Sequence, residues 1–130
     1  MRKGSKSTIA IAAIVALLGT APVAMANAGD VIKQGACSGS SDWKLKLSPD
    51  NANIQVEFEV DSNVVGQTWH VRLTQNGTKI FGGARVTQAP SGSFTVRKLT
   101  PNLAGTDTIR GRAVNAATGE TCVGSAKFTA

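Results

Sequence analysis

His70 is the first residue to consider for catalysis, because it is the single histidine among 130 residues. A hydrolytic triad needs a base that is held by an acid and directed at a nucleophile. No serine of the chain lies in a nucleophile-elbow pattern such as Gly-x-Ser-x-Gly. Trp69 and Val71 alternate with His70 in a strand-like pattern, so His70 is expected to face solvent. The sequence therefore predicts no catalytic residue.

Three carboxylates recur at every second position of one apolar run: Glu57, Glu59 and Asp61. On one face of a strand, consecutive members are about 6–7 Å apart, a separation that suits a glycosidase pair or part of a calcium site. Lys44 and Lys46 on the preceding run favour a simpler interpretation, a solvent face of ion pairs. Calcium at Asp61-Ser62-Asn63 is the remaining alternative. We predict no bound metal and no cofactor.

The first 28 residues have the three parts of a secretory signal peptide. A basic start without acids precedes an uncharged apolar run over residues 9–18, and small residues then permit cleavage after Ala26 or Ala28. The apolar run is shorter than the roughly 20 residues that a transmembrane helix needs. We therefore expect a signal peptide at residues 1–28, an extracellular protein and no membrane span.

The mature domain, residues 29–130, keeps 11 basic and 8 acidic residues, a net charge of +3. It also contains both cysteines of the chain, Cys37 and Cys122. In an oxidising compartment an even number of cysteines predicts pairing, here in a disulfide that encloses nearly the whole domain. On the chain-entropy model, closing a loop of this length contributes about 4–5 kcal/mol of stability.

Apolar and polar residues alternate along most of the mature domain, which indicates β-strands. Two alternating runs flank the turn residues Pro49-Asp50-Asn51 and predict a hairpin. We expect Leu47 to pair with Ile54, which sets Lys44 opposite Glu57 as a favourable charge pair.

A second hairpin is predicted at Asn76-Gly77, because both residues tolerate the positive φ that a two-residue turn requires. Gly82 and Gly83 indicate a β-bulge in its second strand. Pairing across the turn is expected to join Leu73 to Ile80, Val71 to Gly82 and Trp69 to Ala84.

Three further strands are expected at Phe94–Leu99, Asp107–Asn115 and Glu120–Phe128. Residues 29–41 lack periodicity and are interpreted as an arm or a loose first strand. Seven short strands separated by turn residues predict an all-β fold, a seven-stranded antiparallel sandwich with one disulfide.

Two segments resemble fibronectin type III domains. Ser93–Pro101 is similar to strand E and its following corner, and Asp107–Asn115, with its closing Ala-x-Asn, resembles the next strand of that family. Trp69 also suits immunoglobulin-like sandwiches, so the resemblance implies an immunoglobulin-like (fibronectin III-like) fold. The family's tyrosine on the strand that carries Ile109 is missing. The cysteines lie near the first and last strands, which implies a clamp between the terminal strands.

The whole chain is also similar to small uncharacterised secreted proteins of actinobacteria. An immunoglobulin-like arrangement places the strands with Trp69, Ile80, Ile109 and Phe128 in one sheet. The outward positions of this sheet contain no acid, and eight of them are expected to form a basic, ligand-binding face: His70, Arg72, Lys79, Phe81, Arg85, Arg110, Arg112 and Lys127. Guanidinium groups bind phosphate and carboxylate through paired hydrogen bonds, and charges of one sign create a strong local field. Edge protection and solubility are the alternative role for such cations.

These features predict a secreted, non-enzymatic binding module that binds an anionic cell-wall polymer or an acidic protein. Duplex DNA is disfavoured by the expected location, and the sequence has no row of aromatic residues for stacking single strands. The first alternative is a small-molecule carrier, similar to the immunoglobulin-like apoproteins that hold antibiotic chromophores, although the second disulfide of those proteins is missing. A small hydrolase or protease inhibitor is the weaker alternative, because no reactive loop or active-site pattern is found.

Overall fold

The computed structural model describes residues 28–129, so the predicted signal peptide lies outside the described residues except for Ala28. Within this range no helix is long and apolar enough to cross a membrane. The described residues form eight strands: β1 (Val31–Ala36), β2 (Asp42–Asp50), β3 (Asn53–Asp61), β4 (Thr68–Gln75), β5 (Thr78–Val86), β6 (Ser93–Pro101), β7 (Thr106–Asn115) and β8 (Thr121–Thr129). The all-β prediction is confirmed.

The prediction of seven strands was wrong by one, because β1 also forms. Its sequence has little apolar alternation, and most of its side chains are exposed. It pairs antiparallel with β2, from Val31 opposite Leu47 to Ala36 opposite Asp42. Backbone hydrogen bonding to β2 therefore creates this strand, and that bonding leaves no periodic signal in the sequence.

The strands form two four-stranded antiparallel sheets, which face each other in a sandwich-like arrangement. Sheet 1 has the order β1-β2-β3-β6, and sheet 2 has the order β5-β4-β7-β8. Sheet 2 contains the four strands that were expected to share a sheet. At one margin β1 lies beside β8, and at the other β5 lies beside β6.

The first hairpin has the expected facing but a different register. Leu47 pairs with Val56, and Lys44 with Glu59, because both strands continue to a two-residue turn at Asn51-Ala52. The predicted pairing of Leu47 with Ile54, and hence of Lys44 with Glu57, was wrong by two residues. A shift of two preserves which face each side chain occupies, so the apolar side still points inward.

The core between the sheets is built from the alternating apolar positions. Trp69 of β4 is fully buried, and its ring centroid lies 6.4 Å from that of Phe94 in the opposite sheet. Glycines make room for two large rings. A Cβ at Gly111 would lie 2.9 Å from the Phe58 ring, and one at Gly124 would overlap the Trp43 ring. Small residues in sheet 2 thus accept aromatic side chains from sheet 1.

The terminal strands are clamped together, as the cysteine positions implied. Cys37 and Cys122 form the predicted disulfide, which links the end of β1 to β8 across a sequence separation of 85. Beside it, the Ser38 N–H donates to the Thr121 carbonyl at 2.9 Å. The Glu120 carboxylate accepts from the Ser41 N–H at 2.8 Å and from its hydroxyl at 2.9 Å. This corner of the sandwich is therefore fixed by covalent and polar contacts.

At the opposite end, Asp107 is fully buried in a polar network that joins the two sheets. Its carboxylate accepts hydrogen bonds from Gln75 Nε2, Asn76 Nδ2 and the Leu103 N–H, each at 3.0 Å. Gln75 also donates to the Pro101 carbonyl at 2.8 Å. Buried polar groups are stable only when paired in this way.

Candidate functional site

Six of the eight residues of the predicted basic face lie on the outer side of sheet 2. They are exposed and alternate with the buried residues of their strands: His70 and Arg72 on β4, Lys79 on β5, Arg110 and Arg112 on β7, and Lys127 on β8. The period of two is responsible, because core residues on one side of a strand place the intervening residues outside.

Phe81 and Arg85 do not belong to this face, and their placement there was wrong. The register between β4 and β5 shifts at Leu73/Thr74, where Ile80 is the extra residue of a β-bulge. Residues that pair directly point to the same side of a sheet. Phe81 is paired with Leu73, and Arg85 with Trp69, so both side chains point to the inner side of β5.

The bulge also overturns the predicted pairing of Ile80 with Leu73, Gly82 with Val71 and Ala84 with Trp69. The partners are Phe81, Gly83 and Arg85, one residue further along β5. Gly82 and Gly83 signalled an irregularity in this strand, but the bulge falls two residues earlier. Ile80 and Phe81 are both partly buried against the core, which is typical of two neighbouring residues that oppose a single one at a bulge.

Arg85 has local partners at the margin of the sandwich. Its guanidinium carbon lies 4.9 Å from the centroid of the Phe81 ring, a cation–π contact. Its Nη1 donates to the Ala84 carbonyl at 2.8 Å. Because β5 is an edge strand, an arginine folded along it hinders pairing with a further strand.

The centre of the outer face of sheet 2 is an arginine trio, defined here as Arg72, Arg110 and Arg112. Arg72 and Arg112 are direct partners in the antiparallel pairing of β4 and β7, so their Cβ atoms are about 4.5–5.5 Å apart. Arg110 lies two residues before Arg112 on β7, about 6–7 Å along the strand. Three guanidinium groups thus start from neighbouring points of one sheet.

No acidic residue lies on this face among residues 28–129. Ion pairs of described residues join Lys44 to Glu59 at 3.8 Å, Lys46 to Asp30 at 3.7 Å and Arg97 to Glu57 at 3.9 Å. None involves the arginine trio, and in the same part of the chain no side-chain hydrogen bond does. The positive charge of the trio is therefore not neutralised within the described domain.

The trio surrounds a surface hollow of about 420 Å³, which is lined by Arg72, Thr74, Gly77, Thr108, Arg110 and Arg112. Thr74 pairs with Arg110 on one side and with Lys79 on the other, so it lies between two cations. The threonine hydroxyls were not selected from the sequence, although the alternation that placed the arginines outward also places Thr74 and Thr108 outward. Together these groups offer many hydrogen-bond donors to an anion.

The predicted carboxylate row lies on the outer face of sheet 1, where cations surround it. Glu59 and Glu57 take part in the ion pairs with Lys44 and Arg97, and Asp61 accepts a hydrogen bond from the Asn63 N–H at 3.0 Å. Within residues 28–129 no group of three histidine, cysteine or carboxylate side chains is arranged to hold a metal ion. The contacts therefore favour the interpretation as a solvent face of ion pairs.

His70 lies on the same face as the arginine trio, two residues before Arg72 on β4. Its direct partners in the sheet are Ala84 on β5 and Val114 on β7. It is exposed, and no carboxylate among the described residues orients its ring. Its position therefore suits the same role as that of its neighbours, contact with an anion.

Comparison with protein-family models, with curated proteins and with solved structures finds no match to this chain.

Proposed function

We propose that the mature chain is a secreted, non-enzymatic binding module, and that the outer face of sheet 2 binds an anionic polymer of the cell surface. The single observation that carries the proposal is the arginine trio around its hollow. Three unpaired guanidinium groups on one face, with no acid beside them, form a site to which an anionic ligand brings the missing charge.

The position of the trio argues against a purely protective role. Cations that prevent unwanted strand pairing belong on edge strands, yet Arg72 and Arg112 lie on β4 and β7, the two central strands of sheet 2. Like charges directly opposite each other on neighbouring strands destabilise a sheet. Solubility alone does not require three arginines at one point, because dispersed cations would serve it without this repulsion.

The fold and the cysteines support the other parts of the proposal. Apart from β1, the strand orders β2-β3-β6 and β5-β4-β7-β8 follow the orders A-B-E and C′-C-F-G of immunoglobulin-like sandwiches. We therefore propose an immunoglobulin-like fold with one added edge strand. The Cys37–Cys122 disulfide is of the kind found in oxidising compartments, which agrees with the signal peptide expected at residues 1–28.

The proposal is tested by the retention of the mature protein on cell walls purified from the source organism. The test variant is Arg72→Glu/Arg110→Glu/Arg112→Glu. The control is Lys33→Glu/Arg85→Glu/Lys98→Glu, which changes the net charge equally at exposed cations outside the outer face of sheet 2. Three charge-assisted contacts of about 1 kcal/mol each correspond to roughly a 100-fold loss of affinity for the test variant.

The control variant should lose much less, and wild-type retention should fall steeply as salt is raised, because the contacts are electrostatic. Equal losses in both triple variants would show that binding follows net charge and not the trio. Unchanged retention of the trio variant would exclude the face as the binding site. Thermal unfolding of each variant verifies that it is folded.

A further inference from the structure

The cations of the outer face of sheet 2 form a diagonal row in addition to the trio. Arg72 on β4 pairs with Arg112, and Arg110 lies two residues before that partner on β7. Arg110 pairs with Ser125, and Lys127 lies two residues after that partner on β8. Arg72, Arg110 and Lys127 are therefore separated by equal steps of one strand and two residues, about 7–8 Å each.

Such a row suits a ligand that carries its charges in a line. Lys127 does not line the hollow of the trio and lies two strands away from Arg72, so the row extends the cationic surface beyond the hollow. A linear polymer that crosses β4, β7 and β8 obliquely can place one anionic group among the trio and the next one opposite Lys127. The regular spacing thus favours a linear ligand over a compact one.

The hollow is lined by two cations of the row, Arg72 and Arg110, and its donors indicate the shape of the anionic group. A carboxylate has two oxygens with about four acceptor sites in one plane, and the fork of a single guanidinium occupies two of them. Here the guanidinium groups of Arg72, Arg110 and Arg112 are joined by two threonine hydroxyls. Among residues 28–129 neither hydroxyl has a hydrogen-bond partner. This set of donors exceeds what a carboxylate can use and matches the oxygens of a tetrahedral group.

We propose that the face binds a linear polymer of tetrahedral oxyanions, phosphate or sulfate esters, that runs diagonally across β4, β7 and β8 with one ester in the hollow. The inference rests on the proposed function and specifies its ligand. The arginine trio and the threonines provide the selectivity for the tetrahedral group. Lys127 adds contact with the next repeat along the polymer.

The first experiment compares polymers by titration calorimetry with the mature, disulfide-bonded protein at an ionic strength of about 0.15 M. Dextran sulfate with one sulfate per sugar is matched in charge density by polygalacturonate, which has one carboxylate per sugar. Dextran sulfate is expected to bind at least about 10-fold more tightly, because its esters engage the additional donors of the hollow. Poly(glycerol phosphate) is the phosphate arm, and its affinity relative to dextran sulfate distinguishes the two esters.

The variant Arg72→Lys/Arg110→Lys/Arg112→Lys keeps every charge and removes every guanidinium fork. Its affinity for dextran sulfate should fall about 10-fold, whereas its affinity for polygalacturonate should fall less, because a carboxylate engages only one of the three forks. Equal binding of both polymers by the wild type, together with full affinity in the lysine variant, would overturn the inference and leave the proposed function intact. Full affinity in the glutamate variant of the trio would overturn both.

The diagonal is tested separately with Lys127→Gln, and Lys98→Gln is the control that removes the same charge from the margin of sheet 1. Loss of one of several phosphate-type contacts is expected to weaken the binding of either ester polymer about 3-fold at moderate salt, and to lower the salt dependence by roughly one counterion. The Lys98 variant should bind like the wild type. If the two variants behave alike, the ligand does not follow the diagonal row.

Discussion

The outer faces of the two sheets carry the same arrangement with opposite charge. On sheet 1, Asp42 directly opposes Asp61, and Glu59 lies two residues from Asp61. On sheet 2, Arg72 directly opposes Arg112, and Arg110 lies two residues from Arg112. Each group borders a surface hollow, of about 530 Å³ on sheet 1 and about 420 Å³ on sheet 2.

The two faces differ in what surrounds the like charges. Lysines and an arginine alternate with the acids of sheet 1, so Glu59 has Lys44 at 3.8 Å and Glu57 has Arg97 at 3.9 Å. The arginine trio has no such partner among the described residues. A face balanced by its own neighbours is explained by solubility alone. The repulsion within the trio is not offset by neighbouring opposite charges, so it costs stability, and such a cost is typical of functional surfaces.

The largest change in the free energy of unfolding is expected from a substitution inside the sandwich. It is the reference for the smaller changes expected on the two outer faces. Asp107→Ala leaves three N–H donors, one buried and two partly buried, without their carboxylate and should lower the free energy of unfolding by about 2–4 kcal/mol. Asp107→Asn, which keeps one acceptor oxygen, should lose less. Urea denaturation of the mature protein measures both. If the glutamate variant of the arginine trio is destabilised as strongly as Asp107→Ala, the trio is a structural requirement of the fold and not a functional surface.

Much of this arrangement could be predicted from alternation, because a period of two fixes the face of a side chain even when the register is wrong. The first hairpin shows this, since its register shifted by two residues and no residue changed face. The β5 strand shows the limit. Ile80 and Phe81 are both apolar, so the sequence does not reveal which of them is the extra residue of the bulge. An error of one residue moved Phe81 and Arg85 to the wrong side.

Contacts between distant segments also escaped prediction. Glu120 accepts hydrogen bonds from the loop after β1, about 80 residues earlier in the chain. Asp107 accepts hydrogen bonds from two separate segments, at Gln75-Asn76 and at Leu103. Alternation places Asp107 on the same side as Ile109, and Glu120 on the same side as Cys122, but it does not reveal the N–H groups that the fold brings to these carboxylates. For the same reason, only part of the hollow on sheet 2 could be predicted. Its arginines were predicted from their charge, whereas Thr74 and Thr108 line the hollow only because the strand register places them beside the arginines.

An intermediate change in the free energy of unfolding is expected when the charge of one residue in each like-charged pair is reversed. Arg112→Glu converts the pair with Arg72 into an attractive one and should raise the free energy of unfolding by about 0.5–1 kcal/mol. Asp42→Lys should do the same opposite Asp61 on sheet 1. The two variants should differ in binding: Arg112→Glu loses affinity for an ester polymer, and Asp42→Lys does not. Denaturation curves and titrations of both proteins measure these effects. Destabilisation by Arg112→Glu would show that Arg72 and Arg112 do not repel each other.

The smallest effect is expected on sheet 1, where Glu57→Gln/Glu59→Gln releases Arg97 and Lys44 from their ion pairs. Exposed pairs contribute little, so the free energy of unfolding should change by less than about 1 kcal/mol in total. The variant gains two net positive charges without a new cation, and it tests whether unpaired cations are sufficient for binding. Arg97 and Lys44 lie on β6 and β2, on opposite sides of β3, so they cannot grip one anionic group as the trio can. We expect the affinity for dextran sulfate to rise less than 2-fold. A gain in affinity as large as the loss in Arg112→Glu would mean that charge balance determines binding. The clustering of guanidinium groups around the hollow would then not be required.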